Sequence, residues 1–244
     1  MPAARLASLI RERQPCVVLT GAGVSTESGI PDFRSPTGIW AEVDPFEVAS
    51  IDAFRRDPER VWDFYRKRIH VLLDAEPTRA HVALAELERR GLVEAVVTQN
   101  IDLLHERAGS ENVVEVHGSI RTATCPRCEE QYPLGQVLGL LTAAEAPACP
   151  ACGAILKPDV VFFGELLPTE AIERAYELAQ RAALLLVVGS ALEVYPIAGL
   201  PEETLAAGGA LAIVNRGRTP YDGRAVLRID GSAGEVLPAA AAAL

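Results

Sequence analysis

Residues Gly21 to Arg34, reading GAGVSTESGIPDFR, restrict the fold of this chain more than any other stretch. They follow the apolar run Cys16-Val17-Val18-Leu19, which reads as a buried parallel strand. A strand running into Gly-Ala-Gly is how an α/β sheet opens a phosphate site. The glycines admit close backbone approach, and a following helix presents free N–H groups and a positive dipole end. The ordinary dinucleotide fingerprint is absent, because Thr26 stands where the third glycine of G-x-G-x-x-G belongs. The loop instead continues to Phe33 and Arg34, setting an aromatic ring and a guanidinium beside the expected phosphates.

Apolar runs at 16–19, 93–97, 113–116, 159–163, 184–188 and 211–214 alternate with helical patterns, clearest over Arg79 to Arg90 and Thr169 to Arg181. This alternation predicts an α/β fold: a Rossmann-like parallel sheet with helices on both faces. Polar or glycine residues end the runs at Thr20-Gly21, Thr98-Gln99-Asn100, His117-Gly118, Gly189-Ser190 and Asn215, where open α/β sheets bind ligands. Two stretches interrupt the pattern. Residues 37–76 hold Pro-bounded loops and a helix over Glu59 to Asp74, and 121–156 hold four of the five cysteines. The expected division is a discontinuous sheet domain (1–36, 77–120, 157–244) and a small domain built from 37–76 and 121–156, with a cleft between them. The Ala-rich end, Pro238 to Leu244, is expected to fray.

Cys125-Pro-Arg-Cys128 and Cys149-Pro-Ala-Cys152 offer two thiolate pairs, the donor set of a closed tetrahedral Zn²⁺ site with no position left for water. The metal is therefore expected to be structural, holding a ribbon too poor in apolar residues to fold alone. Two redox-active CxxC motifs are the competing reading. Cys16, inside an apolar run, reads as core. The formal net charge of −10 argues against nonspecific nucleic-acid binding and suits basic, lysine-bearing partners. The N-terminal stretch MPAARLASLIRERQ lacks a secretory signal pattern, and no apolar run is long enough to cross a bilayer, so a cytoplasmic location is expected.

Taken together, GAGVSTESGIPDFRS, TQNIDLLHERAG, VEVHGS, the paired CxxC cluster, KPDVVFFGE and VVGSALEVYP resemble the sirtuins, NAD-dependent protein-lysine deacylases, in motif and in order. The compact length resembles the bacterial and archaeal members. The resemblance implies NAD held in a cleft between a Rossmann-like domain and a zinc-ribbon and helical module. It places Gly21, Ala22, Gly23, Thr26, Phe33 and Arg34 along the pyrophosphate and nicotinamide ribose, and Gln99, Asn100, Ile101 and Asp102 at the nicotinamide. It also places Gly189 and Ser190 near the phosphates and Asn215 near the adenosine ribose. His117 would be the general base, with Asn100 orienting the reacting ribose. The acyl-lysine oxygen attacks that ribose, nicotinamide leaves, and the products are free lysine and O-acyl-ADP-ribose. Acylated-lysine proteins or peptides are the implied partners. Glu165 and Val194 would flank a substrate peptide added as a strand, and Val161 and Phe163 would line the channel for the acyl-lysine stem.

An acetyl group is the general expectation. Tyr65 and Arg68, at i and i+3 of one helix, also match a Tyr-x-x-Arg pair that in some sirtuins holds the carboxylate of succinyl or malonyl groups. Two other function classes use the same features. A mono-ADP-ribosyltransferase would share the cofactor site, and a non-catalytic NAD sensor would use the zinc ribbon for docking. His70, His81 and His105 lie in helical patterns and read as packed or solvated rather than catalytic.

Overall fold

The central strands are buried at every position because both of their faces are covered. A computed structural model describes residues 2–244. Its strands are β1 (Cys16–Thr20), β2 (Ala95–Thr98), β3 (Val113–Glu115), β4 (Gly118–Thr124), β5 (Gln131–Pro133), β6 (Lys157–Val160), β7 (Leu184–Val188), β8 (Ala210–Val214) and β9 (Leu227–Ile229). Six of them form a parallel sheet in the order β3-β2-β1-β7-β8-β9. The order reverses between β1 and β7, so a crevice opens beyond their carboxyl ends, the usual ligand position in such sheets.

Side-chain alternation assigns each face its core. Val18, Val96, Leu184, Leu186 and Ala212 pack against the helices Pro2–Glu12, Arg79–Arg89 and Ala233–Ala241. Val17, Leu19, Val97, Leu185, Leu211 and Ile213 pack against Thr169–Arg181 and Leu200–Ala206. Cys16 is fully buried in the first cluster, and burial pushes its thiol up to about 12, so it is an inert core group.

A third cluster unites the two interruptions. Trp62, Tyr65 and Ile69, from the helix Pro58–Asp74, pack with Ile120, Tyr132, Val137, Leu156 and Phe162. Trp62 Nε1 donates to the carbonyl of Leu156 at 2.7 Å, tying the helical stretch to the ribbon. The second sheet, β5-β4-β6, is antiparallel.

Three expectations are corrected here. The run 159–163 is not a strand of the parallel sheet: its beginning lies in β6, beside β4, and its end bridges to Ser50. Its apolar residues face the third cluster, which periodicity alone does not distinguish from a parallel-sheet core. The Gly-Ala-Gly motif leads not into a long helix but into two 3₁₀ turns, Ala22–Val24 and Thr26–Ser28, too short to present a helix dipole. The chain end is helical through Ala241, with Leu237 and Ala240 fully buried, so burial and not alanine content decides its order.

Candidate functional site

The loops after β1 and β7 touch backbone to backbone. The N–H of Gly23 donates to the carbonyl of Gly189 at 2.9 Å, and that of Gly21 to Val188 at 3.2 Å. A Cβ on Gly23 would lie 2.8 Å from the Gly189 Cα, and one on Gly21 would lie 2.9 Å from its oxygen. Gly189 itself has φ +61. These glycines thus admit each other, and the N–H groups of Gly21 and Gly23 are already used. Loop-to-loop packing is thus a demand on these glycines additional to the room for an anion expected from sequence.

The loop after β2 crosses the same crevice. Gln99 Nε2 donates to Ser190 Oγ at 2.9 Å, joining β2 to β7. Asn100, buried, donates through Nδ2 to Ser25 Oγ at 3.1 Å and to the Gly21 carbonyl at 3.3 Å. Ser25 in turn donates to Asp102 Oδ2 at 2.6 Å, and the other Asp102 oxygen accepts from the Leu104 N–H. Both carboxylate oxygens therefore serve the loop itself and support the left-handed φ of 65 at Leu103. Ser25 escaped sequence reasoning. Its only signal is a small polar residue inside a glycine loop, and its full burial emerges from packing.

His117 lies in the turn between β3 and β4, half-buried. Its Nδ1 is 3.0 Å from the carbonyl oxygen of Gln99. A carbonyl only accepts, so Nδ1 carries the proton and the neutral ring keeps its Nε2 lone pair free. Burial lowers the His117 pKa below 6.5. The Gln99 hydrogen bond opposes that shift, and the positive charge of Arg34 adds to it. The imidazole is therefore neutral at physiological pH, as a general base requires. The His117 carbonyl accepts from Val161 N at 2.9 Å, coupling the histidine to the 161–165 segment.

Exposed Arg34 pairs with Glu193 at 3.3 Å, bringing the first loop to the segment after β7. Phe33 packs on Trp40 at 5.2 Å between ring centroids, and Trp40 also meets Phe64 and Phe163 at 6.0 and 6.5 Å. Trp40 is a second residue that sequence reasoning passed over; its rarity in this chain was the available signal. Ile101, like Phe33 and Phe163, packs on the small-module core. Ala22 is half-buried and Thr26 exposed, with its hydroxyl turned back to the Gly23 carbonyl.

Other candidates are engaged within the fold. Asn215 Nδ2 bonds the carbonyls of Arg216 and Gly217 in its own turn. The Glu165 carboxylate accepts from Phe162 N and pairs with Lys157 Nζ at 2.9 Å, and its backbone N–H donates to the Phe162 carbonyl at 3.0 Å, so its side chain and amide are both engaged. The Val194 carbonyl accepts from Ala198 N. Tyr65 is buried against Phe162, while half-buried Arg68 stacks on Phe64 at 3.4 Å, and its Nε finds no acceptor. Tyr65 belongs to the small-module core, and Arg68 lies one turn further along the same helix, Pro58–Asp74.

The sulfurs of Cys125, Cys128, Cys149 and Cys152 lie within 4.8 Å of one another. Cys125–Cys152 and Cys128–Cys149 are 3.4 and 3.6 Å apart. Those spacings are far beyond a disulfide bond and near the edge of about 3.8 Å that four Zn–S bonds of about 2.3 Å define. The two knuckles repeat one turn: Glu129 N reaches the Cys125 carbonyl and Gly153 N the Cys149 carbonyl, with φ of 62 and 78 at the turning residues. The donor set fits zinc, and Tyr132 OH, 3.2 Å from Cys149 Sγ, can donate to that thiolate.

The profile of the Sir2 family matches residues 21–196, from the first glycine loop through the segment after β7. The chain belongs to the Sir2 family. It is 48% identical to an NAD-dependent protein deacetylase of Thermotoga maritima over 90% of this chain and 89% of the relative. It is 46% identical to an NAD-dependent protein deacylase of Thermococcus kodakarensis, over 95% and 91%. Among solved structures, a Sir2 complex with a p53 peptide and NAD⁺ superposes with a TM-score of 0.91 at 44% identity, covering 98% of this chain and 96% of that one. A complex with a propionylated peptide superposes with a TM-score of 0.90 at 43% identity, covering 98% and 96%. A Sir2 fold thus accounts for the parallel sheet, the crevice and the four-cysteine module together.

Proposed function

We propose that this sirtuin removes acyl groups from protein lysines in an NAD-dependent reaction that consumes one water per acyl group, giving nicotinamide, O-acyl-ADP-ribose and free lysine. NAD supplies the ribose carbon at which nicotinamide is displaced by the acyl oxygen. The observation that carries the reading is the His117–Gln99 hydrogen bond, which leaves a neutral imidazole with an unprotonated Nε2 beside the crevice. His117 acts as the general base toward the ribose hydroxyls, a contribution of about 10²–10⁴-fold. Asn100 orients the ribose and is itself held by Ser25. Gly21, Ala22, Gly23, Thr26, Arg34, Gly189 and Ser190 form the walls of the phosphate region, and Phe33 with Trp40 screens the reacting center from water. Gln99, Ile101 and Asp102 shape the nicotinamide pocket, and Asn215 closes the adenosine end. Val161 and Phe163 flank the acyl-lysine channel, and the backbones near Glu165 and Val194 take the peptide between them. Zinc on the four cysteines is structural, because four thiolates complete its coordination.

We assign 37–76 and 121–156 to a small domain and 1–36, 77–120 and 157–244 to the sheet domain; the third apolar cluster, which joins the two insertions, supports this and also draws in Ile120, Val160 and Phe162 from their borders. Among the described residues no helix is long and apolar enough to cross a membrane, and we assign a cytoplasmic location on the reduced cysteine set.

The acyl group is the finer question. Arg68 carries a buried Nε without acceptor among the described residues, which favors an acidic acyl end as a second substrate class beside acetyl. The test is one peptide in acetylated, succinylated and unmodified forms, incubated with the protein and NAD and followed by mass spectrometry. Release of nicotinamide and O-acyl-ADP-ribose with acylated peptide alone is the expected result. ADP-ribose transferred onto protein, with the acyl group intact, would replace this reading with a transferase.

A further inference from the structure

The two hydroxyls at the ends of β1 and β2 have no task in the chemistry above, yet both are buried. Thr20 and Thr98 are register partners in the parallel sheet, at 0% and 3% exposure, positions where valine would pack equally well. Thr20 Oγ1 donates to Thr98 Oγ1 at 2.8 Å. With its proton so placed, Thr20 accepts from His105 Nε2 at 2.9 Å. Thr98 Oγ1 also accepts the backbone N–H of Asn100 at 3.1 Å.

The segment 99–104 is therefore bound to the sheet at its start, through Asn100, and just beyond its end, through His105, by one pair of touching hydroxyls. The Gln99 carbonyl that orients His117 belongs to the same peptide unit as the anchored Asn100 N–H, and between the anchors lie the Asn100 side chain and the left-handed Leu103. Behind His105 stands His81, edge to face at 4.6 Å between ring centroids, its Nδ1 accepting from the Thr78 N–H at 3.1 Å. Burial holds both imidazoles neutral, so the layer beneath the loop carries no charge that water must reach.

We propose that Thr20, Thr98 and His105 are positioning residues: their hydrogen-bonded chain holds the 99–104 loop, and through Gln99 the His117 imidazole, in the arrangement the reaction needs. This rests on the deacylase reading of the same site. Deleting the chain leaves a buried Asn100 N–H without an acceptor, and the loop must shift to find one.

Thr98→Val keeps shape and volume and removes only the hydroxyl; Thr98→Ser keeps the hydroxyl. The expected result is a kcat for Thr98→Val lowered by about 10²-fold, the scale of a displacement of about 1 Å at a reacting group. KM for acylated peptide should stay near the parent value, zinc should be retained, and turnover should return in Thr98→Ser. Parental turnover in Thr98→Val, or equal impairment in Thr98→Ser, would overturn the proposal. Hydrogen exchange on the unaltered protein supplies a reading independent of activity and of the variant's folding. The Asn100 amide should be as protected as the β2 amides, and exchange at the rate of an open loop would overturn the proposal as well. A protected Asn100 amide in a protein with no NAD-dependent deacylation would instead sink the functional reading and leave the anchor standing.

Discussion

Gly23→Ala tests how the crevice is built. The added Cβ would lie 2.8 Å from both the Cα and the oxygen of Gly189, where ordinary contact begins at 3.4 Å. The two loops must then part by about 0.6 Å, the difference between those distances. Neither side can yield by turning a side chain, because both are backbone at the ends of paired strands. The separation strains the packing by about 1–3 kcal/mol and weakens the Gly23–Gly189 hydrogen bond by about 1 kcal/mol, for a loss of about 2–4 kcal/mol in unfolding free energy. If NAD requires the parental loop spacing, restoring it at about 2 kcal/mol raises the Kd about 30-fold. Gly139→Ala is the matched control. It lies in the helix Leu134–Leu141 with nothing within 4 Å of the added atom, and should gain about 0.5–1 kcal/mol. Urea unfolding and titration calorimetry with NAD measure both quantities. Parental stability and parental affinity in Gly23→Ala would refute the claim that this glycine exists for loop contact.

Other outcomes follow from the same geometry. Because burial lowers the His117 pKa, turnover should hold as pH falls through 6.5 and fail only below it, as the imidazole gains its proton; an acid limb above 6.5 in the pH–rate profile would contradict the assignment. His81, His105 and His117 all have lowered folded-state values, so the unfolded chain takes up protons first and stability is lost as pH drops from 6.5, the His81 share being gone near pH 4. Denaturant unfolding across that range checks it. Cys149→Ser should release zinc and loosen the ribbon, with the small-module core failing before the parallel sheet; metal analysis and circular dichroism read the two effects, and a fully folded, zinc-free protein would count against a structural role. Arg68→Ala should slow desuccinylation at least about 10-fold more than deacetylation if the guanidinium holds a terminal carboxylate, the scale of one charge-assisted bond of about 1.5 kcal/mol or more. Equal slowing would assign Arg68 to packing on Phe64.

Local pattern was enough for much of this protein. Thr169 to Arg181 is helical over the span its periodicity marks, and 184–188 is a strand over the span its apolar run marks, because side chains buried on a repeating face declare their own period. The paired CxxC spacing likewise announced its four sulfurs, since a metal site records its ligands as residue types. Long, specific motifs such as GAGVSTESGIPDFRS and TQNIDLLHERAG carried the family before any coordinate did.

Three-dimensional packing settled the rest. Which sheet takes residues 157–160 depends on a partner strand distant in the chain, and apolar character alone does not name that partner. Whether Gly21 and Gly23 face a ligand or another loop, and that Ser25, Thr20, Thr98 and His105 meet beneath Asn100, are matters of proximity between segments far apart in sequence. A hydroxyl or an imidazole looks the same in a list of residues whether it lies in water or in a core. Its hydrogen-bond partners, its tautomer and its pKa are assigned only when the chain has closed around it.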